Sequence, residues 1–79
     1  MANYYERMPD EQHLYSYTGV VTRVNVFGEE HEMDHISNFE VYATDEDDAR
    51  KGLVRRYKNI YGISKSARIN MPDEIKCLD

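Results

Sequence analysis

The chain is 79 residues long, 41% hydrophobic and carries a net charge of −5, which makes one domain with a thin core and leaves no room for a second. Its one cysteine, Cys77, excludes an intramolecular disulfide framework. No run of about 18 apolar residues exists to span a membrane, and the opening MANYYERMPDEQ holds no apolar signal-peptide stretch, so a cytoplasmic location is expected.

Residues 1–12 are polar apart from Tyr4, Tyr5 and Met8 and read as a flexible N-terminal arm. The folded core is expected over 13–71 and a C-terminal tail over 72–79. From Leu14 to Phe27 β-branched and aromatic residues alternate, which predicts a long strand that bends at Gly19. One of its faces carries Leu14, Val20, Thr22, Val24 and Val26; the other carries Tyr15, Tyr17, Val21, Arg23 and Phe27. Gly28, Glu29 and Glu30 supply a polar turn. A second strand is predicted from Ile36 to Ala43, pairing with the first as an antiparallel hairpin.

The helix signal is the strongest in the chain. Thr44 is a suitable N-cap, and Asp45 to Asp48 fill a first turn in which the helix dipole favours negative charge. Ala49, Leu53, Val54, Tyr57, Ile60 and Tyr61 recur on one arc, and Gly62 is placed to end the helix. A last strand, about Ala67 to Met71, is closed by Pro72. In the tail, Ile75 and Leu78 are expected to tuck against the domain. The expected fold is thus α+β: a two-layer β-β-α-β arrangement, with one helix on one face of a three-stranded antiparallel sheet. The other face is left open. With the helix on the valine face, the open face would carry Tyr15, Tyr17 and Tyr42.

Charge is divided unevenly along the chain. Residues 1–48 hold 12 acids against Arg7 and Arg23, whereas residues 49–72 hold seven bases and no acid. Such asymmetry steers partners. Three candidate binding surfaces follow. Tyrosines on an open sheet face offer apolar area with polar tips, which suits a protein interface or a homodimer. Glu29 and Glu30 form an acidic hairpin tip able to dock on a basic surface. Lys51, Arg55 and Lys58 share a helix face able to contact the phosphates of a nucleic acid.

Catalytic and metal motifs fail on context. His31-Glu32-Met33-Asp34-His35 matches the letters of H-E-x-x-H, in which two histidines one helical turn apart hold zinc. Here a glycine and two acids precede it and a strand follows, which leaves no helix to carry it. The acids of the tip lack the glycine and terminal glutamate of an EF-hand loop. Cys77 has no histidine near it in sequence. No catalytic residue, metal ligand or cofactor is therefore assigned.

The short acidic chain, its hairpin, the strand ending Val41-Tyr42-Ala43-Thr44 and the acidic helix start Asp45-Glu46-Asp47-Asp48 together resemble the small accessory proteins of phages and mobile elements, anti-CRISPR proteins among them. The resemblance covers residues 14–71 as a pattern. It implies an inhibitor that occupies a surface of a host or defence complex in the host cytoplasm, and it carries over no site residue. The sequence leads to a non-enzymatic protein-binding module, with a nucleic-acid-binding protein as the alternative.

Overall fold

A computed structural model describes residues 12–79. Strand β1 (His13–Val24) is followed by β2 (Glu30–Ala43), helix α1 (Glu46–Tyr61), β3 (Arg68–Asn70) and β4 (Ile75–Cys77). The fold is α+β: an antiparallel sheet with one helix packed on it. The expected arm over 1–12 falls almost wholly outside the described residues. Among the described residues, no helix is long and apolar enough to cross a membrane.

β1 is the centre of the sheet. β2 pairs along one edge, and β3 and β4 pair end to end along the other. β3 and β4 are therefore two halves of one broken strand. The expected third strand becomes β3, and the expected tail contributes β4. Residues 71–74 cross the gap between the halves.

β2 is longer than expected because the H-E-x-x-H segment belongs to it. It carries two irregularities in register: β1 advances from Tyr17 to Gly19 while β2 moves from Phe39 to Ile36, and from Val21 to Thr22 while β2 moves from Asp34 to Glu32. Both extra residues lie on β2. At the first bulge Asn38 adopts a left-handed backbone (φ 51°), and its N–H donates to Thr18 Oγ1 at 3.0 Å. β2 is an edge strand, and bulges blunt the pairing of an open edge with other chains.

The helix begins one residue later than expected. Asp45 is the N-cap, its carboxylate accepting from the Asp48 N–H at 2.8 Å, while the Asp48 carboxylate accepts from the Thr44 N–H at 3.3 Å. Gly62 ends the helix in the left-handed region, as expected. Ala49, Leu53 and Tyr57 are buried. Ile60 and Tyr61, expected on the buried arc, are exposed, with the Tyr61 ring beside that of Tyr57.

The side of the sheet that the helix covers differs from expectation. Tyr15, Tyr17 and Val21 face α1, and with Ala43, Leu53, Tyr57, Met71 and Ile75 they form the core. The valine face lies on the free side. The deciding contacts are polar. The Tyr17 hydroxyl donates to the Val20 carbonyl at 2.6 Å and accepts from the Asp73 N–H at 3.0 Å. The Asp73 carboxylate accepts from the Val20 N–H at 2.9 Å. Above them, Arg50 of α1 donates to the carbonyls of Met71 and Asp73. A buried tyrosine thus satisfies the backbone groups that the strand break leaves without ladder partners, which no valine could do. Gly19 belongs to the same device, since a Cβ there would lie 2.1 Å from Asp73 Oδ2.

Replacing Tyr17 by Phe keeps the ring and removes both bonds. The expected loss is about 1–3 kcal/mol, read as a lower urea midpoint at unchanged slope. Tyr42→Phe on the free face should stay within about 0.5 kcal/mol of wild type.

Candidate functional site

The three surfaces expected from sequence separate in the structure. Tyr17 is 0% exposed and Tyr15 is buried beside it. Neither stands on an open face, because both are the floor on which α1 packs. Burial raises the pKa of both hydroxyls above the ordinary tyrosine value. Tyr42 alone of the three remains open, 63% exposed and opposite Leu14 on the free face. On that face Ser16 and Thr22 are buried, and the Thr22 hydroxyl donates to Glu30 Oε1 at 2.8 Å.

The hairpin tip is built from Asn25. Its side-chain oxygen accepts from the N–H groups of Phe27 at 2.8 Å and Glu29 at 3.0 Å, and its amide nitrogen donates to Glu29 Oε1 at 2.9 Å. Its backbone N–H reaches the Glu29 carbonyl at 2.9 Å, and its carbonyl accepts from the Gly28 N–H at 3.0 Å. Gly28 takes φ 83°, a turn conformation that an L side chain resists. Asparagine is suited to this role because its side chain imitates a backbone turn.

The braced loop holds Val26 and Phe27 in solvent, 88% and 84% exposed. The expected strand had included both. Leaving two such side chains in water forfeits about 1.5–3 kcal/mol each relative to burial, so their display is not explained by the stability of this chain. Glu29 stands beside them, with its carboxylate 4.0 Å from His31 Nε2. Glu30, by contrast, is tied down over the free sheet face by Thr22 and by Asn70 Nδ2 at 3.4 Å. Of the two acids expected at the tip, Glu29 is the one presented there. The turn residues of Asn25-Val26-Phe27-Gly28 were the sequence signal that could have found the exposed pair.

Lys51, Arg55 and Lys58 do come together. They rim a groove of about 1060 Å³ between α1 and the segment running into β3, joined there by Arg50 and Lys65, with Val54, Ile63 and Ile69 along its floor. Asp47 is the one acid in its lining. The Lys58 ammonium donates to the Lys65 carbonyl at 3.0 Å, which fixes one end of the groove.

His31 and His35 do not form a pair. Register sets His31 opposite Arg23 and His35 opposite Val20, and neighbours along the regular strand β1 alternate faces. The bulge between the two histidines thus sends them to opposite sides of the sheet. Nearby, Asp34 points under the helix and accepts from the Tyr57 hydroxyl at 2.8 Å.

No protein-family model matches the chain, and neither the curated proteins nor the solved structures contain a significant match to it.

Burial, followed by the bond to Asp34, pushes the Tyr57 hydroxyl up from 10.0 to about 12. An unfolded chain releases this proton near pH 10.0 while the folded chain holds it, so stability that is complete below that pH is lost as pH rises toward the folded value. Urea midpoints measured from pH 9 to about 12 should fall, and the fall should be shallower in Tyr57→Phe, with a remainder from Tyr15 and Tyr17. Equal slopes in the two proteins would remove the assignment.

Proposed function

We propose that this chain is a protein-binding module that docks by its hairpin tip. Val26 and Phe27 enter an apolar pocket of the partner, and Glu29 pairs with a cation at the pocket rim. The observation that carries this reading is the exposure of both apolar side chains on a loop that five hydrogen bonds from Asn25 and Gly28 hold in shape. Preorganisation of this kind lowers the ordering cost of association, and an aromatic anchor seated in a pocket is the usual centre of binding energy. The module acts by occupancy rather than by catalysis. Following the resemblance to phage and mobile-element proteins, its partner is a host or defence complex whose surface it blocks.

A second reading has its own observation. Five cations rim one groove against a single acid, in a chain that is acidic overall. Such a groove suits a polyanion, and a nucleic acid would engage it through phosphates. The binding would weaken steeply with salt. The tip reading is preferred because exposed cations on a helix have an ordinary explanation in solvation and the helix dipole, whereas a braced, exposed Val-Phe pair does not.

The test compares three folded proteins as baits for affinity capture, followed by binding measurements on the captured partner. Val26→Ser with Phe27→Ser should leave the unfolding free energy within about 0.5 kcal/mol of wild type and weaken partner binding by at least about tenfold, equivalent to about 1.4 kcal/mol. Lys51→Glu with Arg55→Glu should retain the partner. If the tip variant binds as wild type while the groove variant loses salt-sensitive binding to DNA or RNA, the second reading replaces the first.

A further inference from the structure

The end of β4 brings Cys77 and Asp79 to His13, at the other end of the described chain. The Leu78 N–H donates to the Leu14 carbonyl at 2.8 Å, which extends the pairing of β4 with β1 by one step. The Leu14 N–H in turn donates to Asp79 Oδ1 at 3.2 Å. These bonds hold residues 77–79 against the start of β1. His13 Nδ1 comes to lie 3.4 Å from Asp79 Oδ1, and Cys77 Sγ lies 3.7 Å from the same oxygen. All three ligand atoms fall within 4.8 Å of one another.

The two separations to Asp79 Oδ1 are close to the edges of a tetrahedron around zinc. Bonds of about 2.3 Å to sulfur and about 2.0–2.2 Å to nitrogen and oxygen set ligand-to-ligand distances of about 3.3–3.6 Å. The nitrogen–oxygen edge matches, the sulfur–oxygen edge is slightly long, and the nitrogen–sulfur edge lies within 4.8 Å. The chemistry of the set agrees with its geometry. A thiolate, an imidazole and one carboxylate select a borderline transition ion over magnesium or calcium, which take oxygen shells. The site also differs from a helix-borne zinc motif: its ligands come from β1, β4 and the residues after β4, and backbone pairing aligns them.

We propose that His13, Cys77 and Asp79 form a binding site for a divalent transition ion of the zinc type, with the fourth position left to water. Binding breaks the Cys77 S–H bond heterolytically; the sulfur keeps the electron pair as ligand, and the proton passes to solvent. His13 coordinates through neutral Nδ1. No change of oxidation state is involved. The bound ion links His13, the first residue of β1, to Cys77 of β4 and to Asp79, and it therefore stabilises the β1–β4 pairing.

The test uses the full chain without a histidine tag, stripped by chelator and kept reduced. Zinc titration should give one equivalent per chain, and cobalt should give the near-ultraviolet absorption of a thiolate-to-metal transition, bleached by added zinc. Cys77→Ser should abolish that absorption and weaken zinc by at least about tenfold, the loss that even removal of an outer support brings. His13→Ala should weaken zinc similarly, whereas His31→Ala with His35→Ala should change nothing. Zinc should also slow alkylation of Cys77 in the wild-type chain, a readout that does not depend on the variants folding. The proposal is overturned by the absence of stoichiometric zinc, by equal affinity in Cys77→Ser and His13→Ala, or by loss of binding in the His31 and His35 variant.

Discussion

The hydroxyl of Tyr17 holds the two halves of the sheet's third strand to the centre of the sheet. A strand that breaks between β3 and β4 leaves backbone donors and acceptors of its own and of β1 without ladder partners, and burying them bare would cost about 1–3 kcal/mol each. Tyr17 supplies one donor and one acceptor at that point, Asp73 supplies an acceptor, and Arg50 reaches down from α1 to the remaining carbonyls. The polar needs of the break thus draw the tyrosine face of β1 toward the helix. Once Tyr17 points that way, alternation sends Tyr15 and Val21 with it and turns Leu14, Val20 and Val24 to the other side.

That choice of face decides what the domain can offer a partner. The tyrosines expected at an interface are consumed by the core, so the free face is left with Tyr42 and partly covered aliphatic residues. The hairpin tip is independent of the break. Its shape comes from Asn25, whose side chain fixes a five-residue loop, and the result is an apolar pair in water beside Glu29. The groove beside α1 collects five of the six cations of residues 50–65, so the unevenness of charge along the sequence becomes an unevenness in space. A basic groove and an acidic, apolar-tipped hairpin on one small domain give it two chemically distinct surfaces.

Much of the architecture was legible because its signals are local. The acidic first turn and Gly62 bracket the helix, and alternation marks β1. The α+β arrangement with an antiparallel hairpin follows from them. The choice between the two faces of β1 was not legible. Both faces are apolar enough to be buried, and the difference lies in hydrogen bonds to Asp73, 56 residues away from Tyr17. Lys51, Arg55 and Lys58 could be grouped by helical spacing, whereas their groove required the position of Ile63 and Ile69. The separation of His31 from His35 depends on a bulge, and a one-residue bulge has no fixed sequence signature. His13, Cys77 and Asp79 meet only because β4 pairs with β1, and a three-residue strand beyond a proline gives little periodicity to read.

The Tyr17 hydroxyl, buried under α1, tethers the strand break. The amide of Asp73 reports on it directly, since this N–H lies outside both flanking strands and its acceptor is that hydroxyl. Native-state hydrogen exchange should show the Asp73 amide protected to a degree comparable with Val21 in the middle of β1, and protection should collapse in Tyr17→Phe while Val21 keeps the protection set by the remaining global stability. An Asp73 amide that exchanges freely in the wild-type protein would rule out this tether.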